Sequence, residues 1–450
     1  MQELNEKTGL PGYRGEALEA LKRINAEIGD LIRITKDGTR FEGILIPRSE
    51  YGDDKHVVLK LKNGYNVGIR ITPSTRIEKI GEGAKPAFSP PPPPEKRGDL
   101  PKVVVISTGG TIASRVDYRT GAVRPALTAN DLYSVVPELA EIAQIEAKIL
   151  FSLFSENITP KHWRQIAEET ASHIREGVEG VVIAHGTDTM GYTAAALSFA
   201  LQNLPVPVVL VGSQRSADRP SSDAATNLIG AVKAAAYAPF AQVAVAMHAD
   251  FSDKTILLHK GTKVRKCHTS RRDTFKSVNA KPLAKLDLET GAITMLTREF
   301  KERDPKRELV LKLKFEEKVA LVKFYPGMNP AVLDWYVDSG FKGIVLEGTG
   351  LGHVGNYCFE ALKRAVREGV IVAMTSQCIW GRVNMNVYNQ GRDLLALGVI
   401  PLEDMLPETA LVKLMWVLGQ TGEVEEAKSL LTTNFADEFS PRTLPEKIGE

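Results

Sequence analysis

The chain of 450 residues is predicted to be an α/β protein in which a small all-β barrel module precedes two doubly wound α/β domains. Three observations predict this. Short alternating runs punctuated by Asp-Gly and Asn-Gly dominate the first 84 residues, five consecutive prolines follow at Pro90–Pro94, and beyond residue 101 apolar runs alternate with helical segments.

In chain order, residues 13–24 carry the spacing of a short amphipathic helix. The runs LIRIT, TRFEGILI, HVVLKLK and YNVGIRI then read as strands, with tight turns at Asp37-Gly38 and Asn63-Gly64. Such dipeptides between alternating runs are the strongest local hairpin signal, and residues 1–84 are assigned to a five-stranded barrel. Lys36, Arg40, Arg48, Lys60, Lys62 and Arg70 are candidates for a basic face, although charges alternating along exposed strands usually mark the solvated side. Residues 85–101, KPAFSPPPPPEKRGDLP, form the linker, since consecutive prolines fix φ and favour a stiff polyproline II spacer.

After the linker, KVVVIST, EGVVIAH, VPVVLVG and QVAVAM, and later KVALVKF, GIVLEGTG and VIVAMTS, are β-branched runs of the kind buried on both faces of a parallel sheet. A ligand of such a sheet sits at the carboxyl ends of its strands. The charged, irregular stretch 287–317 divides a larger domain, 102–300, from a smaller domain with C-terminal helices, 301–450.

Composition narrows the function. No apolar run approaches the roughly 20 residues of a membrane helix, and a formal net charge of +2 supplies no large positive field of the kind that marks an autonomous nucleic-acid binder. The cysteines Cys267, Cys358 and Cys378 form no CxxC pair, which argues against a disulfide framework or zinc site. Neither end carries a targeting or lipidation pattern. A cytoplasmic protein is expected.

Two strand-end motifs carry chemistry. The first strand runs into Ser107-Thr108-Gly109-Gly110-Thr111-Ile112; its glycines permit a sharp turn, leave backbone N–H groups open and present the Thr111 hydroxyl. A dinucleotide loop is the competing reading, but GxGxxG is missing. The second motif is His185-Gly186-Thr187-Asp188-Thr189, where Thr187 offers a second hydroxyl and Asp188 a carboxylate for a proton relay or a substrate ammonium. Taken alone, Asp188 also suits a helix N-cap.

Together these segments resemble the bacterial-type L-asparaginase family, whose hallmarks are TGGTI and HGTDT on successive strands. The similarity continues through Val211–Ser216, Ser221-Ser222-Asp223 with Asn227-Leu228, and Thr274-Phe275-Lys276-Ser277, and covers roughly residues 102–420. The resemblance implies an asparaginase-like fold, Thr111 as nucleophile, Thr187 and Asp188 as the second active-site group, and Lys266, nine positions before the phenylalanine of TFKS, as the catalytic lysine. It implies substrate contacts from Gly110, Gly186 and Ser155-Glu156, the last standing where Ser-Gln is usual. Tyr118 matches the family's lid tyrosine poorly and is not assigned.

A threonine hydroxyl is a weak nucleophile at neutral pH and needs a neighbouring base, and a lysine serves only where burial or positive neighbours favour its neutral form. The resulting scheme has Thr111 attack a carboxamide carbon, with Lys266, Thr187 and Asp188 relaying protons and backbone N–H groups holding the oxyanion. It requires no metal or cofactor in this chain.

A free-standing asparaginase needs nothing before its first strand. The added N-terminal residues, with Gly381–Tyr388 and PETALVKLMWVLG, resemble the glutaminase subunits of the archaeal glutamyl-tRNA(Gln) amidotransferases, a branch of the same family. That likeness implies an L-glutamine substrate, a homodimer of this chain, and a GatE-like partner in a heterodimer or heterotetramer. The partner would hold Glu-tRNA(Gln), ATP and Mg and accept the ammonia. The rival readings are an independent L-asparaginase with an appended domain and a binding module on a dead hydrolase. The latter is disfavoured because Thr111, Thr187, Asp188 and Lys266 are all present.

Overall fold

The computed structural model describes residues 9–48, 53–61, 66–82, 98–110, 112, 114–116, 123–125, 132–133, 136–215 and 222–443. Thr111, Tyr118, Lys62, the Asn63-Gly64 turn, Ser216, Ser221 and most of the proline-rich linker lie outside the described residues.

At the N-terminus the helix Gly15–Arg23 packs on a five-stranded antiparallel sheet. Its strands are Leu31–Lys36, Thr39–Leu45, His56–Leu61, Asn66–Arg70 and Arg76–Gly81, and the last adds to the outer side of the first. Among the described residues the fourth and fifth are not paired to each other, so hydrogen bonds leave the barrel open along that seam. At the first turn Asp37 and Gly38 both take positive φ, 49° and 78°, as the two-residue hairpin demands. The alternating residues Ile32, Ile34, Val57 and Leu59 are buried with Tyr13, Ala17 and Leu21. The outward face mixes charges rather than collecting cations: Arg33 and Arg40 pair with Glu42, Arg76 with Glu78, and Arg48 with Asp53.

The larger domain is built on an eight-stranded sheet. Gln144–Leu153, Lys102–Gly109, Gly180–Ala184, Val208–Val211 and Val243–His248 run parallel in that spatial order, and Thr255–Lys260, Ala284–Asp287 and Ile293–Met295 follow antiparallel. The chain enters at Lys102–Gly109, crosses to Gln144–Leu153 on one side, then returns to build outward from Gly180–Ala184 on the other. Strand order therefore reverses between Lys102–Gly109 and Gly180–Ala184, which are paired in register Ile106–Ile183 and Ser107–Ala184. A crevice opens at the carboxyl ends of strands at such a switch point, because the connections leave in opposite directions.

The smaller domain has a four-stranded parallel sheet in sequential order, Val319–Lys323, Gly343–Gly348, Ile371–Ser376 and Ile400–Pro401. Helices Ala331–Asp338 and Phe359–Arg367 bury Leu333, Val337, Leu362 and Ala365 against one face. Helix Pro407–Gln420 covers the other and also packs on Met190–Ala200 of the larger domain, with Trp416 stacked on Phe199 at 5.7 Å. One apolar core thus continues from the larger domain into the smaller. Among the described residues no helix is long and apolar enough to cross a membrane.

Candidate active site

The two strand-end motifs are pressed together backbone to backbone. Gly109 and Gly110 both take positive φ, 116° and 78°. A Cβ on Gly110 would stand 2.8 Å from the Gly186 amide nitrogen, and one on Gly186 would meet Ser155 Cβ at 2.9 Å and Oγ at 3.0 Å. Glycine is required here because no side chain fits between the chains. Buried Thr108 donates to the Ala184 carbonyl at 2.9 Å, and Thr189 Oγ1 donates to the Ser155 carbonyl at 2.6 Å. Gly110, Gly186 and Ser155 are thereby brought together, and Thr111 follows Gly110 directly in sequence.

Lys266 arrives from a separate element. The hairpin Val264–Lys266 and Phe275–Ser277 brings its ammonium to the second motif, where Nζ donates to Thr187 Oγ1 at 2.9 Å and to Asp188 Oδ1 at 2.8 Å. The Lys266 side chain is 14% exposed and that of Asp188 69%, so a cation shielded by protein meets a carboxylate open to solvent. The competing reading of Asp188 as a helix cap is answered by geometry: the N-cap of Met190–Ala200 is Thr189, and the Asp188 carboxylate is turned to Lys266. Thr187 presents its methyl towards Gly212, where an added Cβ would come within 2.6 Å of Thr187 Cγ2. Glu156 is exposed beside buried Ser155.

Beneath the motif lies a polar chain that motif reading did not single out. Trp163 Nε1–H donates to Thr193 Oγ1 at 3.2 Å, the Thr193 hydroxyl donates to His185 Nε2 at 2.9 Å, and His185 Nδ1–H donates to the Gly186 carbonyl at 2.6 Å. This assignment satisfies every group and requires one neutral tautomer of His185. Burial agrees, lowering the His185 pKa to about 4, with the Gly186 carbonyl partly opposing the shift. With the Gly186 carbonyl turned to His185, the Thr187 N–H points the opposite way, as a trans peptide requires.

A second buried network fixes the turn after Val208–Val211. The Asp223 carboxylate accepts from the Gln214 and Arg215 amides at 3.0 Å, and Asn227 Nδ2 donates to Asp223 and to the Gly212 carbonyl at 2.9 Å. Among the described residues no group of three His, Cys, Asp or Glu is placed to hold a metal ion.

Comparison with known proteins accounts for these features together. Residues 102–299 match the family described as asparaginase, N-terminal, residues 318–431 the glutaminase/asparaginase C-terminal domain, and residues 26–80 the GatD N-terminal domain. The D subunit of glutamyl-tRNA(Gln) amidotransferase from Pyrococcus furiosus is 55% identical over 95% of this chain and 98% of its own. The protein of the same name from Thermofilum pendens is 50% identical over 96% and 97%. Among solved structures, the thermostable L-asparaginase from Thermococcus kodakarensis superposes with a TM-score of 0.68 at 34% identity, covering 76% of this chain and all of its own. L-asparaginase I from Vibrio cholerae gives 0.66 at 29%, covering 76% and 99%. Matched across both α/β domains and along almost its whole length, the chain belongs to the asparaginase/glutaminase family, in the branch of the glutamyl-tRNA(Gln) amidotransferase D subunits.

Proposed function

We propose that this chain is the glutamine-hydrolysing subunit of a tRNA-dependent amidotransferase and releases ammonia for transfer to Glu-tRNA(Gln). One observation carries the choice over a free asparaginase: the likeness to the D subunits spans the N-terminal module as well as both catalytic domains.

In the reading we favour, Lys266 reacts as the neutral amine: Thr111 Oγ attacks the carboxamide carbon of L-glutamine, its proton passes to Lys266 with Thr187 and Asp188 as hydrogen-bond partners of the relay, and from there to the leaving nitrogen. Loss of ammonia leaves a glutamyl ester on Thr111. Water cleaves it, giving glutamate and returning the proton to Thr111. The Lys266 contacts to Thr187 and Asp188 support the relay, since proton transfer needs partners within hydrogen-bond reach. Backbone N–H groups at the paired glycine turns are suited to the oxyanion of the tetrahedral intermediate. Gly110, Gly186 and Ser155 would line the substrate's backbone end, where the Glu156 carboxylate suits an α-ammonium.

A GatE-like partner would bind Glu-tRNA(Gln), activate its glutamyl group with ATP and Mg and capture the ammonia, making the complex a carbon–nitrogen ligase with glutamine as amido donor. The mixed charge of the N-terminal surface fits a division in which that partner carries most of the tRNA contact. A homodimer of this chain with two partner subunits, a cytoplasmic heterotetramer, completes the proposal.

The test is ammonia release from glutamine and asparagine by the purified chain, with and without the partner and Glu-tRNA(Gln), and with Thr111→Ala as blank. Glutamine turnover that rises with partner and charged tRNA and vanishes in the variant is the expected result. Rapid asparagine turnover by the chain alone, indifferent to both additions, would replace it with a free asparaginase.

A further inference from the structure

The hairpin that carries Lys266 is short, three paired residues on each strand with one further backbone bond beyond each end, from the Cys267 amide to the Thr274 carbonyl and from the Val278 amide to the Lys263 carbonyl, a marginal unit by itself. Its two roots, Lys263 and Asn279, are gripped from the smaller domain. Lys263 is fully buried; its ammonium donates to the Asp404 carbonyl at 3.1 Å and lies 2.9 Å from Asp404 Oδ2. Asn279 Nδ2 donates to the same Asp404 carbonyl at 3.2 Å and to the Gly381 carbonyl at 2.9 Å, while its Oδ1 accepts from the Gly381 amide at 2.8 Å. The two roots are joined by the Val278 amide donating to the Lys263 carbonyl at 2.8 Å.

Asp404 is itself held by a strap formed by the C-terminal segment 433–443, beyond residue 431 where the family match ends. The Ser440 amide donates to Asp404 Oδ1 at 2.9 Å and Ser440 Oγ to the Asn279 carbonyl at 3.0 Å. Thr262 donates to the Ala436 carbonyl at 2.8 Å, and Lys260 pairs with Asp437 at 2.9 Å. The strap is anchored by Glu438, whose buried carboxylate accepts from the Phe435 and Ala436 amides and pairs with fully buried Lys413 at 2.5 Å.

Buried ion pairs of this kind are weak devices for stability, because desolvation offsets the attraction. Burial drives the Lys263 pKa down and Asp404 pulls against it, so the pair persists only while both groups stay in place. What it supplies is register: Lys266 follows Lys263 by three residues, and both its hydrogen bonds, at 2.8 and 2.9 Å, would be lost by a slip of about 1 Å.

We propose that Asp404 is a positioning residue for the reaction, its carboxylate setting through Lys263 the register of the hairpin that delivers Lys266, with Ser440 of the C-terminal strap holding that carboxylate in turn. The proposal rests on the reading of Lys266 as the relay lysine.

The experiment follows glutamine hydrolysis by the full chain with its partner subunit across pH, beside thermal melting, for Asp404→Asn, for Lys263→Met/Asp404→Leu, and for Lys266→Ala. Asp404→Asn is expected to lower kcat at least about tenfold with KM changed less than about twofold, and to displace the pH–rate profile, as misplacement of a relay group should. The double variant removes both buried charges together and so leaves no unpaired charge should the single variant fail to fold; it is expected to melt near the native temperature and yet keep the low kcat. Native kcat in that folded double variant, or an unchanged kcat and pH profile in Asp404→Asn, would overturn the proposal. Native activity in Lys266→Ala would overturn it differently, by removing the relay lysine itself.

Discussion

Parallel strands of the two domains end in similar turns, Ser107-Thr108-Gly109-Gly110 in the larger domain and Glu347-Gly348-Thr349-Gly350 in the smaller. Both follow apolar β-branched strands and both place glycine at positive φ. The first lies where strand order reverses and faces a second polar turn, His185–Thr189, which a lysine from outside the sheet reaches at Thr187 and Asp188. The second lies in a sheet whose order is sequential, and a Cβ on Gly350 would meet nothing within 4 Å. Both turns meet a polar neighbour, since Ser376 Oγ donates to the Gly350 carbonyl at 2.7 Å; topology is what sets the first at a switch point, where the connections diverge and a crevice opens.

The largest effect expected from this contrast follows loss of the Lys266 side chain. Lys266→Ala should reduce glutamine hydrolysis by roughly 10²–10⁴-fold, the usual weight of a positioned proton-transfer group. Ammonia release at saturating glutamine measures it, and a loss under about threefold would remove Lys266 from the relay.

The glycine pair sharpens the comparison. In Gly110→Ala the new methyl meets the Gly186 and His185 backbone at 2.8–3.0 Å, and φ is +78°. Strain and separation of the two turns should cost about 1–3 kcal/mol and most of the activity. Gly350→Ala carries φ +49° into open space and should cost about 1 kcal/mol, the left-handed conformation alone. Urea melts and turnover on both variants decide it; equal activity losses would show that the turns are functionally alike.

These contrasts also show what the sequence made legible. Thr187 and Asp188 stand together in one motif at a strand end, and Lys266 is singled out only by the asparaginase family's spacing to the phenylalanine of TFKS, here Phe275. The polar chain Trp163–Thr193–His185 was not visible, because its members lie 30 and 8 residues apart and meet only when helix Pro160–Arg175 packs across Met190–Ala200. The charged stretch around Lys266 favours solvent on composition alone, yet Lys263 within it is fully buried. Its partner Asp404 is 141 residues away, and no local pattern announces a pair at that distance. In the N-terminal module the turn chemistry was legible at Asp37-Gly38, while the open seam between the fourth and fifth strands depends on strand lengths and twist that the alternation does not encode.

Acid should separate the domains as well. Burial lowers His185 to about 4 and His259, hydrogen-bonded to Ser277 in the lysine hairpin, to about 3. Both are neutral when folded, whereas an unfolded histidine protonates near 6.5. Their stabilisation is complete above about pH 6.5 and declines as pH falls, because only the unfolded state takes up the protons. Between about pH 6.5 and 4 the loss at His185 alone reaches roughly 3 kcal/mol. Hydrogen exchange on acidification should show the larger sheet weakening before the smaller one, and the opposite order would refute the assignment.

The smallest effect on turnover lies in the N-terminal module, where the expected change is in stability alone. Tyr13 is buried, with its hydroxyl donating to the Ile46 carbonyl at 2.9 Å and accepting from the Val58 amide at 3.0 Å. Burial raises its pKa to about 12, against a smaller opposing influence of the Val58 hydrogen bond. Tyr13→Phe keeps the ring packed but leaves the Val58 N–H without that acceptor, at a cost of about 1–3 kcal/mol. Because the Tyr13 hydroxyl stitches the segment before the helix to the strand His56–Leu61 and to Ile46, just past the strand Thr39–Leu45, the module should exchange amide hydrogens faster while glutamine hydrolysis by the folded chain stays unchanged. A fall in hydrolysis matching the fall in module stability would instead mean that the strand-end turns depend on the module's integrity, and the division between a topologically defined site and an appended N-terminal module would have to be abandoned.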